Sequence, residues 1–392
     1  MTMKEAQIIF SKTVNGDSIL QLKDGSLLFY YFRSKYGIRI YNEKSFQKIF
    51  AINILKAIKK YENDNVIGED GKSKEEQDSN DQEDEDEEEY FERRRFMYED
   101  SEDTKRKNSI KELSNGVILI GRDNYLIELK LKEKDYEVKI VNKLNDIILD
   151  INELPDHRII VITDNNIILF NQEKGEYNIK QQYPVKANWK IVAVSSTERF
   201  YGNFHQYYSS EILPNNRLLL NSFSTELSYN SGCGTHPPYE FSYSKIIFID
   251  TKNFEEIKST KLFEIDAKHI VLDNVILIQD YKNLLIYDIN SLELIKNTKL
   301  FERMHYMYRF DDKYFVTVSL DEERNDLLVY KNQNNDVIEY CGFRTKITFE
   351  KIIGWNHYPI RGYNDKFLFT LKDKRVIILC HNNLYALQLS LE

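Results

Sequence analysis

Leu22-Lys23-Asp24-Gly25 is a four-residue phrase that the sequence repeats. Related phrases begin at Leu113-Ser114-Asn115-Gly116, Leu154-Pro155-Asp156-His157, Leu213-Pro214-Asn215-Asn216, Leu272-Asp273-Asn274, Phe310-Asp311-Asp312-Lys313 and Leu371-Lys372-Asp373-Lys374. Asp, Asn and Gly at these places suit a tight turn, because they tolerate left-handed dihedrals and bond their own backbone. A short apolar stretch precedes each phrase, such as Ser18–Leu22 or Leu149–Ile151. A denser one follows, such as Leu27–Tyr30, Val117–Ile120, Ile159–Ile162, Leu218–Leu220, Val275–Ile278, Tyr314–Val316 and Val376–Leu379. Aliphatic runs of this length between turn formers predict strands, and the phrase predicts the hairpin that joins them.

A third strand is expected at Ile38–Tyr41, Leu126–Leu129, Ile167–Phe170, Ile246–Ile249, Leu284–Tyr287, Leu327–Tyr330 and Leu384–Leu387. A fourth is marked best in three copies: Tyr41-Asn42 to Ile49, Ile249-Asp250 to Ile257, and Tyr287-Asp288 to Ile295. Residues 46–58 also carry a helical spacing (Phe46, Ile49, Phe50, Ile54, Ile58), but the repeat alignment favours a strand.

Four antiparallel strands in about 40 residues make one blade of a β-propeller. The chain resembles WD40-like propellers. An aromatic residue or Ile followed by Asp or Asn ends the third strand at 41–42, 170–171, 249–250 and 287–288, where that family places Trp-Asp. No Trp-Asp or Gly-His pair stands at the expected places, so the resemblance lies in the pattern of nearly the whole chain. The expectation is an all-β, seven-bladed propeller of four-stranded antiparallel blades, forming a single domain over 1–392. The seventh unit ends at Leu389 without a fourth strand. Gln7-Ile8-Ile9-Phe10 is expected to supply it and close the ring, because unpaired edges aggregate.

The net charge is −9, unevenly spread. Residues 62–108 hold 20 acidic and 8 basic residues, a net of −12, which leaves +3 on the rest. A run such as Asp81–Glu89 repels itself and buries nothing, so 62–108 is expected to be a disordered acidic insertion. It is either a spacer or an arm for a basic partner. The three cysteines, Cys233, Cys341 and Cys380, are far apart and odd in number, which suits a reducing compartment. No signal peptide or apolar run of membrane length is present, and cytoplasm or nucleus is expected. The acidic balance disfavours nucleic acid.

Successive turns of a blade alternate between the two rims of the disc. The long segments 59–109, 182–208 and 342–366 join a fourth strand to the next first strand. Segment 223–244 is a long loop insertion between a second and a third strand. All four leave by the same rim, which is expected to be the binding face. Its candidate contact residues are Tyr229, Tyr239, Phe241, Tyr243, Trp355, His357 and Tyr358, aromatic groups set among turn formers. No phosphate-binding, dinucleotide, zinc-protease or nucleophile-elbow motif occurs, and no cofactor or catalytic residue is assigned. Cys233-Gly-Thr-His236 is half of a zinc spacing without a second half. The expectation is a non-enzymatic scaffold binding protein partners through the long-loop rim. The alternative is a propeller enzyme or small-ligand binder with its site at the central channel mouth.

Overall fold

The computed structural model describes residues 3–5, 7–13, 18–30, 37–66, 108–133, 135–163, 166–173, 175–184, 191–194, 199–202, 204–228, 239–262, 269–280, 283–299, 305–318, 326–333, 336–344, 368–380 and 383–389. The chain opens with β1 (Met3–Glu5) and β2 (Gln7–Thr13). Blade 1 is β3 (Ser18–Gln21), β4 (Leu27–Tyr30), β5 (Ile38–Tyr41) and β6 (Lys48–Ile52), followed by helix α1 (Ile54–Val66). Blade 2 is β7 (Asn108–Glu112), β8 (Ile118–Arg122), β9 (Tyr125–Leu131) and β10 (Tyr136–Lys143). Blade 3 is β11 (Ile148–Glu153), β12 (Ile159–Thr163), β13 (Asn166–Glu173) and β14 (Glu176–Pro184). A hairpin, β15 (Ile191–Val194) with β16 (Arg199–Gly202), precedes blade 4. That blade is β17 (Phe204–Leu213), β18 (Arg217–Ser228), β19 (Tyr239–Asp250) and β20 (Glu256–Leu262). Blade 5 is β21 (His269–Leu272), β22 (Val275–Asp280), β23 (Asn283–Asp288) and β24 (Leu294–Lys299). Blade 6 is β25 (His305–Arg309), β26 (Tyr314–Val318), β27 (Asp326–Gln333) and β28 (Asp336–Arg344). Blade 7 is β29 (Leu368–Thr370), β30 (Arg375–Cys380) and β31 (Asn383–Gln388), completed by β2.

The ring closes as expected. β2 runs antiparallel to β31, from Gln7 opposite Gln388 to Thr13 opposite Asn383. The preceding strand β1 goes further than the sequence indicated, lying parallel to β28 with Met3 opposite Gly342. The N-terminal segment therefore fastens two blades.

In four copies the repeated phrase is a three-residue hairpin turn of one design. Leu22 N–H donates to Ser26 O (2.8 Å) and Gly25 N–H to Leu22 O (3.0 Å). The same pair recurs at Leu113, Leu154 and Leu371. In each, the Asp or Asn Oδ1 accepts the N–H two residues on, from Ser26, Val117, Arg158 and Arg375. The fourth residue has positive φ: Gly25 (94°), Gly116 (83°), His157 (66°) and Lys374 (68°). Glycine does this without strain, and the two non-glycine copies are held by the surrounding bonds. A second repeated turn joins the third and fourth strands. Asn42, Asp250 and Asp288 cap it with their side chains, and the closing residue, Phe46, Phe254 or Leu292, has φ near +60°. Phe46 and Leu292 are buried, so burial offsets their unfavourable backbone.

The second strands β4, β8, β12 and β22 are buried along their whole length, because another blade covers each face. Among the described residues, six apolar clusters fill the seams, and one of them spans blades 6, 7 and 1. At Gly121 an added Cβ would lie 2.4 Å from Ile148 Cγ2, so blades 2 and 3 meet there without room for a side chain. Most outermost strands are bulged, with Ile49, Ile257 and Ile295 each falling at a register shift. A bulge twists the strand and interrupts its ladder at that residue, while the edge beyond it stays open to pairing, as β28 pairs with β1 at Gly342–Arg344.

The stretch 46–58 splits between the two readings. β6 takes residues 48–52 as a strand, and the chain then turns into α1. Asn53 Oδ1 caps the helix by accepting Lys56 N–H (3.0 Å), a local signal that the repeat alignment masked. Residues 62–66 therefore continue a helix and Asn108 begins β7; only 67–107 of the expected acidic insertion lies outside the described residues. The expected loop at 223–244 is also corrected. Its two arms, 223–228 and 239–244, continue β18 and β19 as a paired ribbon, in which the backbone groups satisfy one another.

Candidate functional site

The long connections share one rim by the alternation of the strands. α1 follows the fourth strand of blade 1, and the β15–β16 hairpin follows that of blade 3. The ribbon joins the second and third strands of blade 4. α1 is held by Ile54, Ala57, Ile58 and Tyr61, which pack with blades 1 and 2. Tyr125 Oη donates to Glu62, and Lys143 lies 3.7 Å from the same carboxylate. Burial pushes the Tyr125 phenol up and the bond to Glu62 adds to this, with Lys143 opposing.

The ribbon is three strands wide. β17 pairs with β18 as far as Phe204 opposite Thr225, and β18 pairs with β19 as far as Ser228 opposite Tyr239. β16 of the neighbouring hairpin lies against β18. Of the expected contact residues, Tyr239, Phe241 and Tyr243 stand at alternate positions of β19, so they fall on one face of the ribbon. Tyr229, Trp355, His357 and Tyr358 lie outside the described residues, as does Cys233-Gly-Thr-His236.

The opposite rim carries a relay that the sequence reading missed. The residue before the phrase's leucine accepts the N–H of the residue after the leucine in the previous blade. Lys372 N–H donates to Gln21 Oε1 (3.0 Å), Lys23 N–H to Glu112 Oε2 (2.7 Å), and Ser114 N–H to Glu153 Oε2 (2.5 Å). Lys372 Nζ and Lys23 Nζ add bonds to carbonyls of the next turn, Lys23 O (2.9 Å) and Leu113 O (2.6 Å). Pro155 and Pro214 hold the equivalent place in blades 3 and 4. Without an N–H they end the relay, which runs from blade 7 to blade 3. The signal was a Gln or Glu one residue before the leucine.

Relay position decides the carboxyl's acidity. At Glu112 burial dominates and pushes the carboxyl up, against the Lys23 N–H and ammonium. At Glu153 burial also pushes up, but bonds from Ser114 and His157 outweigh it, and the carboxyl sits below its ordinary range. Ser114 Oγ donates to Glu153 Oε1 (2.5 Å) and lies 2.9 Å from His157 Nδ1, which is 3.1 Å from Glu153 Oε1. Serine and carboxylate thus share one imidazole nitrogen. A nucleophile relay needs them on opposite nitrogens, so this group bridges blades and does not activate the serine. A cleft of about 390 Å³ opens beside it, lined by Lys23, Asp24, Glu112, Ser114 and Asn115. Lys23, Glu112 and Ser114 are already engaged in the relay.

First strands of successive blades touch one another and form the innermost layer. Asp150 of β11 stitches it together. Its carboxylate accepts Ser109 Oγ (2.9 Å) from blade 2, and Ser210 N–H (2.8 Å) and Oγ (2.6 Å) from blade 4. Asn152 Nδ2 donates to Ser210 Oγ (2.5 Å), and His269 Nε2 lies 3.5 Å from Glu211 Oε2. Between blades 2 and 3, burial and then the Glu128 charge push the Tyr177 phenol well up. Among the described residues no group of three metal-ligating side chains is assembled, and no helix is long and apolar enough to cross a membrane.

Fold and comparisons agree on a class: the chain is a seven-bladed β-propeller. It is similar to the β-propeller domain of Cps50 (Swd1) from Myceliophteria thermophila, at TM-score 0.50 and 9% identity over 98% of this chain and 100% of that one. It is also similar to hydrazine synthase of Kuenenia stuttgartiensis, at TM-score 0.51 and 10% identity over 97% of each chain. At such identities the likeness concerns the fold alone. No family model matches the sequence. No curated protein matches it either.

Proposed function

We propose that the chain is a non-enzymatic scaffold that docks protein partners on the rim carrying the long connections. The observation that carries this reading is the ribbon of blade 4. It continues β17, β18 and β19 beyond β20, whose pairing with β19 stops at Ser244, and it sets Tyr239, Phe241 and Tyr243 in alternate register. A paired ribbon presents aromatic groups at lower ordering cost than a loop does, which favours their use as anchors. The acidic residues of 67–107 follow α1 in the sequence and offer a basic partner a second point of attachment. Cytoplasm or nucleus is the compartment that fits this reading.

The channel-mouth alternative is supported less. The innermost polar groups of blades 2 to 4 bond one another, and Ser114, Glu153 and His157 lack the geometry of a nucleophile activated through both imidazole nitrogens. Affinity capture tests the proposal with the intact chain, a variant lacking 229–238, and Tyr239→Ser/Phe241→Ser/Tyr243→Ser. The expected result is loss of a common set of partners from both variants. Identical partner sets from all three would remove the ribbon from consideration.

A further inference from the structure

The outermost strands of blades 4 and 5 carry a five-residue phrase that differs only at its third position. Ile257-Lys258-Ser259-Thr260-Lys261 lies in β20 and Ile295-Lys296-Asn297-Thr298-Lys299 in β24. The two copies are structurally equivalent. Lys258 stands opposite Phe248 and Lys261 opposite Lys245, while Lys296 stands opposite Ile286 and Lys299 opposite Asn283. In both the isoleucine is the bulged residue, and both isoleucines are exposed, at 47% and 41%. Leu294, just before the second copy, is 47% exposed. The two strands adjoin: Lys258 Nζ donates to Leu292 O (2.8 Å) and to Glu293 Oε1 (3.2 Å), at the start of β24.

β20 and β24 are the last strands of their sheets. β24 contains no acidic residue, and the single one in β20, Glu256, lies 3.6 Å from Lys245. Glu293, just before β24, is engaged by Lys258, so the wall is apolar at its bulges and its basic stretch lies at Lys296–Lys299. A second copy is a poor occupant, because pairing β24 with itself opposes lysine to lysine. An acidic strand meets no such repulsion. The chain itself shows that an outer strand of this propeller accepts an added one, since β1 lies on β28.

We propose that the outer edge of β24, with β20 beside it, docks an extended acidic segment of a partner protein by strand addition. Main-chain bonds to the open edge supply affinity, aliphatic side chains of the partner cover Leu294 and Ile295, and its carboxylates face Lys296 and Lys299. This surface is the circumference of the disc, apart from the long-connection rim.

Fluorescein-labelled (Val-Glu)5 and (Val-Lys)5 peptides test it against the full chain by fluorescence anisotropy, with hydrogen exchange locating the bound segment. (Val-Glu)5 is expected to bind, to protect the amides of 294–299, and to weaken with added salt. Lys296→Glu/Lys299→Glu is expected to weaken it about tenfold and to create binding of (Val-Lys)5. Lys180→Glu, on the outer strand of blade 3, is expected to leave it unchanged. Absence of (Val-Glu)5 binding, equal binding by the reversed variant, or protection confined to other strands would overturn the proposal. So would a wild-type dimer in sedimentation that the reversal dissociates, since the occupant would then be a second copy. The ribbon variants above leave β24 intact, so failure of either reading is separable from failure of the other.

Discussion

Glu112 and Glu153 do the same job in consecutive blades, and they are expected to respond unequally to replacement by glutamine. Gln21 is the native precedent, since its amide oxygen accepts Lys372 N–H where the others use a carboxylate. In Glu112→Gln one acceptor replaces another for Lys23 N–H, and the burial penalty on the charge disappears. Loss of the Lys23 attraction offsets this, so the net change at pH 7 is expected within about 0.5 kcal/mol. Glu153 is different. Its side chain is 13% exposed and takes both the N–H and the hydroxyl of Ser114, with His157 beside it. A carboxylate accepts from all three, whereas an amide turns its NH2 toward one of these donors. Exchanging charge-assisted bonds for neutral ones, with one donor mismatched, is expected to cost about 2 kcal/mol.

The pH dependence separates the two further. The Glu153 carboxyl is more acidic folded than unfolded, so its contribution is present above the unfolded pKa and is lost as pH falls through the folded one. The Glu112 carboxyl is raised, so its ionisation opposes folding and relief comes as pH falls through its folded pKa. Urea midpoints of both variants and the parent at pH 7 and pH 4 would measure this. Glu153→Gln should show a smaller deficit at the lower pH. Equal midpoint shifts for the two variants at pH 7, or a Glu153→Gln deficit that grows on acidification, would refute the reasoning.

Gly121→Val should force the blade 2–3 seam apart at Ile148, lowering stability by about 1–3 kcal/mol in the same urea assay, while Gly121→Ala should cost less. Removing residues 1–13 deletes β2 and leaves β31 with an open edge, so static light scattering should show association at concentrations where the intact chain is monodisperse. Removing only 1–5 uncovers three residues of β28 and should leave the ring closed, with a smaller loss of thermal midpoint.

The parts of this molecule that were readable in advance are those set by neighbours in the chain. Asp24, Asn115, Asp156 and Asp373 bond backbone two residues away, so their turns announce themselves wherever the phrase occurs. The closing strand was readable because Gln7–Phe10 was left over and the seventh unit lacked a strand. The helix at Ile54 was obscured because the blade 1 repeat ran into it, although Asn53 marked its start. The ribbon was taken for a loop because Ser, Thr and Tyr over 223–228 and 239–243 lack the aliphatic density of a buried strand. They pair through their backbones, which asks no aliphatic pattern of the sequence.

The seven turns and the strand order within blades were determined by sequence alone, because each rests on contacts between near neighbours in the chain, and the need for a closing strand followed from a seventh unit one strand short. The tertiary structure decided what meets across the seams. Lys372 reaches Gln21 from 351 positions away, and Ser109, Asp150 and Ser210 converge from three blades. No spacing in the chain records such pairs. They exist because apolar faces of neighbouring sheets pack at one register, and that register brings the polar groups at their edges within bonding distance.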